Sequence, residues 1–281
     1  DNSSTELEEG FDESTRLKIV SRLTENLSAI QSTAVIDMRE LGGTVKDIID
    51  NVSKSIRAGM GSFRSLSKVF HEAQSHDIYT WEHSVNTAIY AAIIGLSDPA
   101  ILHEKQRLKS PATFSKAEIL VFNMLLHDIG KIRVPIEVLN KNGALSADER
   151  RIVEKHPYSG FVYLRKINEQ IQQKQMLPIP AYFMRGCLLH HQAYNGTGYP
   201  AMRTKDDKLV PMSGENISIV GRIAAVADMY DALTSRRPYR RPYHAADALK
   251  MLMQERGRKL DPRVADLFVS KMDPYPMGTT V

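Results

Sequence analysis

Ile119-Leu120-Val121-Phe122-Asn123-Met124-Leu125-Leu126-His127-Asp128-Ile129-Gly130-Lys131 is the stretch that decides how this chain reads. Apart from Asn123, the run from Ile119 to Leu126 is apolar over two helical turns, which predicts an apolar helix rather than an alternating strand. Ser115 and Glu118 ahead of it have the spacing of a capping box. The run closes on an imidazole and a carboxylate side by side, with Gly130 and Lys131 directly after them. A His and an Asp at one buried helix end can reach the same metal cluster, and the two oxygens of a carboxylate can bridge two cations. Lys131, three residues beyond Asp128, is placed to hold a phosphate oxygen. Taken alone, such a pair is more often an ordinary helix end.

The other histidines change that balance. His83 lies among Val85, Ala88, Ile89 and Ala92, and His156 is read as ending the helix that starts after Ser146. His190 and His191 close a segment holding Tyr182, Phe183 and Leu188. Asp228 lies among Ile219, Ile223, Val226 and Ala227, where an unpaired charge would be costly to bury and a metal would remove the cost. For any one histidine a hydrogen-bonded core residue is the commoner outcome; the whole set with an Asp-Lys pair points to a metal site. His71, His76, His103 and His244 lie in polar surroundings and take no role, and Glu82 reads as a solvated helix residue. Imidazole with carboxylate suits iron, manganese, nickel or zinc, while the lone Cys187 excludes a thiolate-rich zinc site. Two cations sharing a carboxylate lower the pKa of a bridging water, giving a hydroxide able to attack phosphorus. The expected chemistry is hydrolysis of a phosphate ester.

Composition agrees with a packed helical protein. Hydrophobic residues make up 42% of the 281, enough for a sizeable core, and charged residues 25%. The net charge of +4 fits an anionic ligand, but no Lys/Arg run interleaved with aromatics supports DNA binding. One cysteine makes no internal disulfide, which fits a reducing, cytoplasmic setting. The longest apolar run, Ala88 to Leu96, is too short to span a bilayer. No signal peptide is visible, and a start at Asp1 rather than Met reads as a fragment of a longer polypeptide.

The order of elements follows. Residues 1–14 are polar and acidic and read as frayed. Leu17, Val20, Leu23, Leu27 and Ile30 repeat at helical spacing, and a second helix is expected after a break at Gly42-Gly43, with Val45, Ile48, Ile49, Val52 and Ile56. These form a lead-in module over residues 1–65, ahead of a main domain over 66–281. Two readings of the lead-in stay open: packing against the main domain, and dimerisation or coupling to an upstream sensor. Helices are expected near 79–96, 116–128, 147–155, 158–174, 181–192, 216–234, 244–255 and 262–271, with a loop over 192–213. Ser146 with Glu149 forms a second capping box, and Asp261-Pro262 a cap before an N1 proline.

At this point the sequence resembles a known family. His127-Asp128-Ile129-Gly130-Lys131, His190-His191, Gly198-Tyr199-Pro200 and the run from Val226 to Arg240 look like the HD-GYP branch of the HD superfamily, over roughly residues 70–272. The resemblance implies an all-α HD-superfamily helical bundle. It implies a phosphodiesterase that opens cyclic di-GMP to linear pGpG, with a slower cut to GMP as a further expectation. One metal would take His83, His127 and Asp228, the second His156, His190 and His191, and Asp128 would bridge them. Lys131 would contact the scissile phosphate, Gly198 and Tyr199 would shape the loop at the ligand, and Arg237 and Arg240 would hold phosphates through their forked donors. The cofactors implied are two divalent ions, iron or manganese. Members with a third metal carry Glu where this chain has Tyr79, so two are expected. The family usually has Glu after the paired histidines and Asp before the loop glycine; here Gln192 and Asn195 stand there. These departures keep open a weakly active or inactive module that binds a cyclic dinucleotide. A nucleoside triphosphate substrate would use the same metals, but the Tyr199 loop and the two arginines argue against it.

Overall fold

The computed structural model describes residues 13–33, 38–57, 79–103, 115–173, 181–203, 206–235 and 241–272. Most of them are helical, and the all-α expectation holds. Helices α1 (Glu13–Thr33) and α2 (Met38–Arg57) precede α3 (Tyr79–Ser97) and α4 (Lys116–Leu126). A short 3-10 turn, Ile129–Arg133, leads to α5 (Ile136–Leu139), α6 (Ala147–Val153) and α7 (His156–Gln173). Then come a 3-10 turn (Ala181–Met184), α8 (Arg185–Leu189), strands β1 (Met202–Arg203) and β2 (Leu209–Val210), α9 (Ile219–Thr234), α10 (Ala245–Glu255) and α11 (Pro262–Lys271). No helix among the described residues is long and apolar enough to cross a membrane.

The centre of the fold is α3 against α4. Val85, Ala88, Ile89, Ala92 and Ile93 on α3, and Ile119, Leu120, Met124 and Leu125 on α4, are wholly or almost wholly buried. Both helices are buried on nearly every side because other helices surround them. The capping box starts α4 as expected: the Glu118 amide donates to Ser115 Oγ at 3.1 Å. Ser146 and Glu149 cap α6 in the same way, and Asp261 accepts from the Arg263 and Val264 amides ahead of α11. Ile19, Val20 and Leu23 of α1 and Leu41, Val45, Ile48 and Val52 of α2 join the same continuous apolar cluster.

Four local expectations need correction. α2 runs through Gly42-Gly43 instead of starting after them. Each interior glycine costs about 1 kcal/mol of helix propensity, and burial of Leu41, Val45 and Ile48 on one face outweighs that. His156 opens α7 and does not end the preceding helix, which stops at Val153. The helix expected over 181–192 is a 3-10 turn followed by the short α8. The loop over 192–213 contains an antiparallel pair, Met202 opposite Val210, too short to show alternation in sequence.

Candidate metal centre

The seven residues expected to bind metal come together in one buried cluster. Each arrives at a helix end or on a helix face. His127 is the C-cap of α4, and Asp128 follows as the chain turns into the 3-10 segment. His156 begins α7, and His190 is the C-cap of α8. His83 lies in the second turn of α3, and Asp228 in the middle of α9. Asn123 holds two of these elements in register. Fully buried on α4, it donates to the Tyr182 carbonyl at 3.1 Å and accepts from the Gly186 amide at 2.6 Å. This fixes the start of α8, and so His190-His191, against the helix that carries His127-Asp128.

Two groups form. The candidate ligand atoms of His83, His127 and Asp228 lie within 4.8 Å of one another, and so do those of His156, His190 and His191. Asp128 lies between them. Its Oδ2 is 3.4 Å from His83 Nε2 and its Oδ1 is 3.1 Å from His156 Nε2. The rings pass from one group to the other, His127 to His190 with centroids 4.9 Å apart. Asp228 and His191 stand at the mouth, with side chains 18% and 25% exposed; the other five residues are buried.

The hydrogen bonds fix which imidazole nitrogens carry hydrogen. His127 Nδ1 sits 2.6 Å from the Met124 carbonyl, His156 Nδ1 2.7 Å from the Val153 carbonyl, and His190 Nδ1 3.0 Å from the Gly186 carbonyl. A carbonyl only accepts, so these nitrogens donate and the Nε2 atoms turn lone pairs inward. His156 Nε2 is 3.0 Å from His190 Nε2 and faces Asp128 Oδ1, which takes no hydrogen bond among the described residues. Three acceptors with no hydrogen between them repel one another unless a cation lies among them. A cation among them removes that repulsion, so this donor set suits a metal.

The electrostatics divide the histidines. Burial brings the His127 pKa down to about 3 and lowers that of His156. Burial, and then the neighbouring His190, push His191 well down. These three are neutral and ready to ligate. Burial also acts to lower His83, but hydrogen bonds with Asp128, Asp228 and Asp231 outweigh it and hold His83 well above the ordinary value. Burial works to raise Asp128 and Asp228, yet both stay well below the usual carboxylate range. Lys131 leads the opposing influences on Asp128, and His83 those on Asp228.

Asp231 is the site residue that carried no role in the sequence reading. Fully buried one turn beyond Asp228, it accepts from His83 Nδ1 at 2.6 Å, Asn86 Nδ2 at 2.8 Å and Ser235 Oγ at 2.8 Å. It fixes the tautomer and orientation of His83, as outer carboxylates do for ligating histidines. Two acidic residues three apart on the apolar α9 are a signal for it, since that spacing puts both on one face.

Lys131 reaches the site through an ion pair with Asp128, its side chain 25% exposed. Tyr199 stacks on His191, with ring centroids 4.6 Å apart and planes 29° apart. Gly198 fits only as glycine: a Cβ there would lie 2.2 Å from the Ala193 nitrogen and 2.4 Å from the His191 oxygen. Gln192 donates to the Pro200 carbonyl at 2.7 Å, and Asn195 accepts from Thr197, so these two departures bear on the loop. Arg237 and Arg240 lie outside the described residues.

Comparison with known proteins agrees. The family model described as "HD domain" matches residues 92–264, more than half of the chain. A cyclic di-GMP phosphodiesterase of Pseudomonas aeruginosa is 33% identical over 235 residues, covering 84% of this chain and 48% of that protein. A 3'3'-cGAMP-specific phosphodiesterase of Vibrio cholerae is 26% identical over 247 residues, 86% of this chain and 37% of its own length. The chain thus spans about half the length, or less, of these curated relatives. Among solved structures, an HDG"Y"P protein from Bdellovibrio bacteriovorus superposes with TM-score 0.57 at 16% identity, covering 96% of this chain and 74% of that one, which is a likeness of fold. By its family model, its helical fold and its His-Asp cluster, this chain belongs to the HD domain family.

Proposed function

We propose that this chain is a metal-dependent phosphodiesterase that opens cyclic di-GMP to pGpG, with slower onward cleavage to GMP. The observation that carries the proposal is the convergence of inward-facing Nε2 lone pairs on Asp128 Oδ1, which has no hydrogen to receive. His83, His127 and Asp228 would hold one divalent ion, His156, His190 and His191 a second, and Asp128 both; iron and manganese suit these donors. Such ions supply Lewis acidity and an activated water when bound. The protein's own part is positional. The buried cluster excludes bulk water, Asp231 holds His83, and Lys131 brings a cationic donor to the mouth, where a phosphate oxygen can compete for it with Asp128. Arg237 and Arg240, following closely on α9, are proposed to hold the phosphates, and Gly198 with Tyr199 to wall the ligand.

Cyclic di-GMP is preferred because the Pseudomonas relative bears that name at 33% identity. The cGAMP-specific Vibrio relative favours a second reading, hydrolysis of 3'3'-cGAMP by the same site. The non-catalytic alternative gains nothing from the geometry, since Gln192 and Asn195 bond within the loop. A cytoplasmic setting is part of the proposal and accords with the free, buried Cys187. So is the division near residue 65, with α1 and α2 coupling to a second copy or an upstream sensor. Their apolar contact with the cluster around α3 gives a displacement of α2 a direct route to the helix that carries His83.

The test is anaerobic loading with Fe(II) or Mn(II), addition of cyclic di-GMP or 3'3'-cGAMP, and separation of products. Linear pGpG from cyclic di-GMP, lost in Asp128→Ala, is the expected result. No product with either metal, or equal product from the variant, overturns the proposal.

A further inference from the structure

We propose that Gln192 is a positioning residue: its side-chain amide anchors the Gly198-Tyr199-Pro200 loop so that Tyr199 lies flat on His191 and forms a fixed wall at the mouth of the metal centre. Gln192 follows His191 in the chain and is itself buried. Its Nε2 donates to the Pro200 carbonyl at 2.7 Å, while the Tyr199 amide donates to the His191 carbonyl at 3.1 Å. The two bonds tie the Tyr199 amide and the Pro200 carbonyl, on either side of the Tyr199 Cα, to the 191–192 segment, leaving mainly side-chain torsions to place the ring. The ring settles 4.6 Å from the ring of His191, the most exposed of the seven candidate ligands.

The chemistry of the Gln192 side chain decides the anchor. A carboxylate has the same shape but donates nothing, and against a carbonyl oxygen it repels. Where the family resemblance leads one to expect Glu, this chain has the isostere that can make this bond. The other end of the amide points the same way: Oε1 takes no hydrogen bond among the described residues. A buried acceptor left unpaired is costly, and what the residue gains in return is the donor bond to the loop. Gln192 has no hydrogen bond to the metal-binding side chains, so it acts on them through Tyr199.

The experiment uses the full chain loaded with Zn(II), which is diamagnetic, with labelled histidine, and follows the His191 ring resonances by NMR. Gln192→Glu and the uncharged, similarly long Gln192→Met are compared with Tyr199→Leu and with the double variant Gln192→Met/Tyr199→Leu. Loss of the stacked ring is expected to move the His191 resonances equally in all of them, with nothing further in the double variant and no movement at His83 or His127. Metal content is expected to be unchanged. On the phosphodiesterase reading, which the kinetic arm alone relies on, the Mn(II)-loaded Gln192 variants raise KM for cyclic di-GMP about tenfold with kcat within about twofold. His191 resonances that stay in place in both Gln192 variants but move in Tyr199→Leu overturn the proposal, as does loss of metal from them. Wild-type protein without turnover overturns the phosphodiesterase reading alone, because the NMR comparison still decides the role of Gln192.

Discussion

The two halves of the metal centre are built from similar donors and braced differently. In the half made by His83, His127 and Asp228, one imidazole is held by a buried carboxylate, Asp231, itself gripped by Asn86 and Ser235. In the half made by His156, His190 and His191, two imidazoles rest on the backbone carbonyls of Val153 and Gly186, and the third stacks under Tyr199 at the mouth. A carboxylate brace makes its histidine a more basic ligand, at the cost of giving a proton somewhere to stay. His156, which has a carbonyl and not a carboxylate at its Nδ1, is lowered by burial. Each half thus has one partly exposed member, Asp228 in the first and His191 in the second, and the first carries the denser set of carboxylate contacts around its His83.

The bridging carboxylate is where the comparison breaks outright. Asp128→Ala removes the group that faces His83 on one side and His156 on the other. Both sets are expected to lose their ion, and turnover to fall by about a thousandfold or more, as for deletion of a group acting on every step. Metal per chain and product formation, measured on the same preparation, check this. Retention of both ions would show that the halves are independent.

Gly130 tests the joint between the halves. It passes so close to the start of α7 that a Cβ would lie 2.0 Å from the His156 carbonyl oxygen and 2.5 Å from the Gly160 nitrogen. No side-chain rotation relieves a clash with backbone, so Gly130→Ala must push α7 away. A loss of about 3 kcal/mol in stability is expected, near the upper end for overpacking. The remaining folded protein should bind metal less well at the His156 half. Denaturant unfolding with metal titration gives both numbers; unchanged stability would sink the argument.

Asp231→Ala should separate the halves. It removes the partner of His83 and of Asn86 while leaving the second half untouched. A drop of about 10- to 100-fold in affinity for one ion, with the other retained, is the expected scale for loss of an outer carboxylate. Competition against a chelator reads it directly, and loss of both ions together would overturn the division.

How much of this was legible beforehand follows a physical line. α4, α6 and α11 carried their caps in sequence, and apolar density marked α3, α4 and α9 as buried. The clustering of the candidate ligands was legible because imidazoles and carboxylates in apolar surroundings have few other uses. Asn86 and Asn123 were not, because a polar residue on a helix reads as solvated until its neighbours are known, and Asp231 had only its spacing from Asp228 to mark it. Each works by bonding to a partner distant in sequence: Asn86 to Asp231, Asn123 to Gly186, and Asp231 to His83. The turn from α6 to α7 was misread at His156 because two helices meet there within three residues, which periodicity does not resolve.

Proton competition should sharpen the comparison with the smallest effect. His83 is held above the ordinary imidazole value, so in the metal-free protein it keeps its proton to a higher pH than a free histidine does. A cation entering the first half must displace that proton, so affinity there rises with pH, by about tenfold per unit for one proton, and levels off once the raised pKa is passed. His156 and His191 are pushed the other way and are already neutral, so neither adds such a slope to the second half until acid reaches its lowered value. Calorimetric Mn(II) titrations between about pH 6 and 8, in buffers of different ionisation enthalpy, count the protons released. One proton from one of two ions is expected. Release from neither, or equally from both, would show that Asp231 does not set the two halves apart.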